Sequence, residues 1–140
     1  MGTIETFDHT ADVGLRVRAG DLDDLFRTAA EGVFDYIVAN RDAVRVVETE
    51  SVELGDDDPA ELLVAWLNEL IFRSETRHRL YTRFDVALAD DVRSLRATIG
   101  GEPIDRDRHV LDHEVKAVTH HALSLGREGD GWIAELILDI

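Results

Sequence analysis

Two stretches of this chain space their apolar residues every three or four positions, while the other patterned stretches alternate by two. That contrast limits the fold before any motif is read. A helical stripe and a strand alternation each bury one face, and neither can take the other's place without exposing it. Leu22, Leu25, Phe26, Ala29, Ala30, Val33, Phe34 and Ile37 form the first stripe and predict a helix over about 22–38. Asp21 supplies its N-cap. Leu62, Leu63, Trp66, Leu67, Leu70 and Ile71 form the second, over about 59–73. Asp58, Pro59 and Glu61 read as its N-cap, first-turn proline and capping-box acid. The run Asp56-Asp57-Asp58 lacks the alternating ligands, central glycine and late glutamate of a calcium loop.

Alternation predicts strands over 3–7, 13–19, 44–54, 80–88, 92–99, 114–125 and 132–140. Residues 89–91 and 126–131 read as hairpin turns, 100–103 as a break and 104–112 as an irregular loop or short helical turn. The expectation is one α+β domain over 1–140, a two-layer sandwich with a mixed or mostly antiparallel sheet and two main helices on one of its faces.

Composition narrows the function. The chain carries 30 Asp+Glu against 15 Lys+Arg, a net charge of −15, and its 44% apolar content is too high for a disordered chain. Cysteine is absent, which excludes disulfides, thiolate metal sites and thiol catalysis. No apolar run approaches the roughly twenty residues of a spanning helix. The N-terminal residues lack the basic and apolar regions of a signal peptide, so a cytoplasmic protein with no membrane partner is expected. Of the 15 bases 14 are Arg and one is Lys116, and Asp outnumbers Glu by 18 to 12, a surface suited to a halophilic cytoplasm. The charge argues against a broad phosphate-backbone footprint and leaves direct RNA contact open.

Standard catalytic motifs are missing. There is no phosphate-binding loop, no dinucleotide fingerprint and no serine nucleophile elbow. His113-Glu114 starts a zincin-like motif, but Ala117 stands where its second histidine belongs. Two acids stand out. Asp12 precedes a core strand, close to His9, and Asp139 ends an apolar one beside Ile140. If the first and last strands adjoin, Asp12, Asp139 and the Ile140 carboxylate converge as a hard-oxygen site for a divalent cation. Otherwise Asp12 caps a turn and Asp139 faces solvent. His9 is placed to orient the turn before Asp12 by hydrogen bonding. Lys116 is either a retained functional ammonium or half of an ordinary same-face pair with Glu114. His120 and His121 should point to opposite faces, one packed and one exposed, and both Trp66 and Trp132 belong to the core.

These pieces also form an ordered series. His9-Thr10-Ala11-Asp12-Val13-Gly14, Trp66-Leu67-Asn68-Glu69-Leu70-Ile71-Phe72, Gly101-Glu102-Pro103, Glu114-Val115-Lys116-Ala117-Val118-Thr119, Gly131-Trp132-Ile133-Ala134 and Leu138-Asp139-Ile140 together resemble the archease family. The resemblance runs from Phe7 to the last residue. It departs where the family has an aromatic at His120 and Phe at Leu138. It implies a non-catalytic accessory protein of the tRNA-splicing RNA ligase, promoting guanylylation and multiple turnover, with tRNA only an indirect associate. It implies a divalent ion, calcium first, with magnesium or manganese as the other candidates, held by Asp12, Asp139 and Ile140. Glu114 and Lys116 match the family's other functional positions. The rival readings are a metal-dependent hydrolase using Asp12, Asp139 and His9, and a general chaperone or binding module.

Overall fold

Apolar stripes become helices here because each is buried along much of its length. α1 (Leu22–Ile37) starts where the Asp21 carboxylate accepts from the Asp24 amide at 2.8 Å. α2 (Pro59–Arg77) starts where Asp58 accepts from the Ala60 amide at 2.9 Å. Glu61 does not close a capping box. Asp56 takes the Asp58 amide at 3.0 Å instead, and Glu61 lies 2.6 Å from the His120 imidazole. α2 runs past the expected 73 to Arg77 and ends on His78 in the left-handed conformation (φ 54°). The structure, a computed structural model, describes residues 2–9 and 12–140, with His9 described by its backbone alone.

Beside a 3-10 turn at Arg41–Ala43, the described chain has seven strands: β1 (Thr3–His9), β2 (Asp12–Ala19), β3 (Glu48–Gly55), β4 (Arg79–Leu88), β5 (Ser94–Pro103), β6 (Ala117–Glu128) and β7 (Gly131–Asp139). They form two sheets, ordered β1-β2-β7-β6 and β3-β5-β4, and every pairing among them is antiparallel. The α+β class and both main helices are as expected. The helices do more than cover one sheet face, because each touches strands of both sheets. On α1, Phe34 meets Tyr81 edge-on and stacks on Phe84 of β4, while Gly32 lies under Ile4 of β1. Trp66 of α2 packs edge-on to Phe84 and donates its indole N–H to the Phe26 carbonyl at 3.0 Å. The core is therefore one cluster joining both sheets through both helices.

Several strand bounds change, with residues 92–93 now preceding β5 and residues 126–128 ending β6 rather than turning. Residues 44–47 are not part of β3, and Val46 and Val47 are exposed. Residues 100–103 are not a break but the end of β5, where Gly100 and Gly101 pair with Arg83 and Tyr81. The glycines serve close approach rather than a turn, since a Cβ on Gly101 would overlap the Leu80 carbonyl. Residues 114–116 precede β6 instead of opening it.

One local prediction follows. Gly14 on β2 lies under the Phe7 ring, which the Arg16 guanidinium covers 4.9 Å from its centroid. A Gly14→Ala Cβ would overlap that ring. Urea titration should show a loss of about 1 kcal/mol as the ring swings aside.

Candidate functional site

The outer face of the four-stranded sheet is built by simple parity. Leu15, Val17 and Ala19 of β2 point to the core, as do Ala134, Leu136 and Leu138 of β7. Their neighbours, Asp12 and Asp139 included, take the opposite face. Val13 pairs with Leu138, so the same register carried one residue on sets Asp12 beside Asp139. His9 pairs with Asp12 on one side, and Ala117 pairs with Asp139 on the other. One row across four strands thus holds His9, Asp12, Asp139 and Ala117. Both acids are half-buried, and Ile140 beyond them is 37% exposed. The expected orienting turn falls largely on Thr10 and Ala11, outside the described residues, as does the His9 side chain.

Lys116 reaches the row through its backbone. Its amide donates to the Asp139 carbonyl at 2.8 Å, just before β6 begins, and its side chain is exposed. Glu114 is exposed as well, with buried Val115 between them. The same-face arrangement of Glu114 and Lys116 is present, but no ion pair joins the two. Glu114 opens instead onto a cleft of about 420 Å³ beside the C-terminal ends of both helices.

The paired histidines depart from expectation, because both are exposed. The register between β6 and β7 slips between Thr119 and Ser124, where Ala122 has φ 54°. Strand parity is lost across this bulge, so His121 does not turn inward. Trp66 is fully buried and Trp132 is half-buried under Arg127, whose guanidinium lies 5.0 Å from its ring centroid.

Two residues gain roles that pattern reading had not assigned. Asn68, a polar residue on the helix face that meets β6, donates to the Val118 carbonyl at 3.0 Å and accepts from the Val118 amide at 2.7 Å. No pattern marks it, because Asn68 falls off the stripe of Leu63, Trp66, Leu67 and Leu70. Glu102 is 4% exposed and accepts from the Arg45 amide at 2.7 Å and from Arg108. His109, 3% exposed, accepts the Asp105 amide on Nδ1 at 2.9 Å, which leaves Nε2 to donate to Glu102 at 3.0 Å. Burial pushes the Glu102 carboxyl up, but Arg108, the Arg45 amide and His109 outweigh it and hold it down at about 2.

The sign follows from linkage. A carboxyl depressed in the folded state stabilises fully above its ordinary 4.5 and loses that contribution as pH falls toward about 2. Glu102→Gln should cost about 2–3 kcal/mol near neutrality, from hydrogen bonds to a charged group. The gap to wild type should narrow between pH 4.5 and 2 in denaturant titrations.

Could the acid row hold a cation? Among the described residues no set of three or more His, Cys, Asp or Glu side chains is arranged for a metal. Asp12 and Asp139 supply two carboxylates, and main-chain oxygens of Ile140 are the nearest further donors along the chain. An all-oxygen set of this kind fits a hard divalent ion.

The sequence profile of the Archease protein family (MTH1598/TM1083) matches residues 4–140. This chain belongs to the archease family. A protein archease of Methanopyrus kandleri is 38% identical over 138 residues, spanning 97% of this chain and 98% of that protein. A protein archease of Methanothermobacter thermautotrophicus is 37% identical over 143 residues and spans all of both. The solution structure of Methanobacterium thermoautotrophicum protein 1598 superposes with a TM-score of 0.80 at 33% identity, over 98% of each chain. A Thermotoga maritima crystal structure, described as an archease and possible chaperone, superposes at 0.66 with 16% identity, over 97% of this chain and 96% of that one, and shares the fold. The archease chain has no helix among its described residues long and apolar enough to cross a membrane.

Proposed function

We propose that this archease is a cytoplasmic accessory protein of the tRNA-splicing RNA ligase, promoting its guanylylation and multiple turnover without joining RNA itself. The observation that carries the reading is the antiparallel register of β2 and β7, which sets Asp12 beside Asp139 on one exposed face. Asp12, Asp139 and main-chain oxygens of Ile140 would hold a calcium-type ion. When bound, that ion supplies positive charge for phosphate oxygens. Asp12 and Asp139 orient their carboxylates from neighbouring strands, so the spacing between them is set by the ladder. The Lys116 amide is held by the Asp139 carbonyl, which keeps its exposed ammonium near the same row, where it can meet a nucleotide phosphate. Glu114 lies two residues away, and His9 flanks Asp12 in the ladder. The net charge of −15 favours docking on a basic protein surface and disfavours direct RNA binding. An accessory role also accords with the Thermotoga maritima relative's description as a possible chaperone.

The test is single-turnover guanylylation of the ligase by GTP and a divalent metal, with and without substoichiometric archease. Marked acceleration is expected. An active ligase indifferent to the folded protein would remove the reading.

A further inference from the structure

The cleft beside Glu114 has a floor of Ile37, Ile71, Leu80, Ile104, Leu111 and Val115. It is built by α2, whose Ile71, Ser74, Glu75 and His78 face it at helical spacing, and by residues 104–115. That segment is strapped to the end of α1, where the Asp112 amide donates to Ile37 and Leu111 bridges Val38. It is also strapped to the end of α2, where the Ile104 amide donates to the His78 carbonyl at 2.9 Å. The cavity is therefore held open by backbone hydrogen bonds at both helix ends.

Its volume of about 420 Å³ suits one or two bulky apolar side chains. Its rim is charged. Asp112 is 3.3 Å from His113, whose ring stacks on Tyr36. Glu75 and Glu114 are exposed, and neither has a partner among the described residues. Arg106 is the one arginine there, so the rim acids outnumber it. An apolar floor under unpaired carboxylates selects an apolar side chain with cationic neighbours.

We infer that this cleft is the docking pocket for an apolar anchor residue carried on a basic segment of the partner protein. The inference rests on the accessory reading above for the partner's identity, and names the surface by which that partner is held. Val115 lines the floor, and the next residue, Lys116, is bonded to Asp139. A segment seated here would lie beside the acid row, with the row left free to act.

Calorimetric titration of the ligase with full-length wild type, Leu111→Trp and Glu75→Arg tests this, with calcium titration of each protein alongside. Leu111→Trp fills the cavity, and Glu75→Arg reverses an exposed rim charge. Each variant should weaken ligase binding by about tenfold or more while calcium affinity stays unchanged. Equal ligase affinity for all three proteins overturns the inference and leaves the accessory reading standing. If wild type does not bind the ligase, the accessory reading falls, and labelled peptides decide the cleft. Binding of Arg-Arg-Leu-Phe-Arg-Arg but not Glu-Glu-Leu-Phe-Glu-Glu, lost in Leu111→Trp, upholds the pocket. Binding of neither peptide overturns it. Sedimentation that shows a dimer dissolved by Leu111→Trp also overturns it, since the occupant is then a second copy.

Discussion

Replacing Asp139 with Asn should leave the protein folded and lower its calcium affinity by about tenfold or more, and Asp12→Asn should do the same. Both side chains are half-buried on the outer sheet face and neither belongs to the core, so amide replacements fit the same space. What changes is charge. Hard cations are held by carboxylate number, and the loss of one carboxylate from two removes much of the attraction. Calcium titration followed by calorimetry reads the first effect. Guanylylation of the ligase reads the second, where stimulation should drop in parallel. Full calcium affinity in both variants would sink the acid row as a cation site. Full stimulation with calcium affinity lost would detach the cation from the accessory role.

The second large effect is structural. Gly101→Ala should destabilise the protein by about 3 kcal/mol, at the upper end of what overpacking costs. The added Cβ would overlap backbone, the Leu80 carbonyl, which has no rotamer through which to escape. Strand β4 already bulges here, with its register shifting between Tyr81 and Arg83. Arg41 steadies the bulge by donating to the Thr82 carbonyl at 3.1 Å. Gly101 also precedes Glu102, so forcing β4 away from β5 disturbs the buried carboxylate and its partners. Denaturant midpoints for Gly101→Ala and Gly126→Ala make the comparison, because a Cβ on Gly126 meets nothing within 4 Å. Equal midpoints would mean that the strands part without cost.

Much of this was legible from local pattern. The helix starts at Asp21 and Asp58 were visible because a capping side chain acts within its own turn. Strand parity around Leu15 and Leu136 was visible because alternation needs no knowledge of the neighbour. The condition concerned the first and last strands, and it is the second, β2, that lies beside β7; strands more than a hundred residues apart carry no local sign of their pairing. Gly100-Gly101 read as a break because two glycines usually mark a turn. Here they mark a close crossing, which only the opposite strand reveals. One of the two histidines, expected to pack, is exposed like the other because strand parity fails across a bulge, and positive φ at Ala122 has no signature in an alanine. The cleft was invisible because its floor comes from four separate stretches of chain, at Ile37, Ile71, Leu80 and residues 104–115.

Asn68 has a consequence at the margin of the sheet. β6 is the last strand of its sheet, and such a margin offers unpaired amides and carbonyls to any passing chain. At Val118 both groups are already taken by the Asn68 carboxamide, which imitates a neighbouring strand without being one. A few residues on, the bulge between Thr119 and Ser124 bends the same margin out of flat extension. Growth on that side is thereby blocked at Val118 and interrupted across the bulge, which shortens the template left for fibrillar stacking of one molecule on the next.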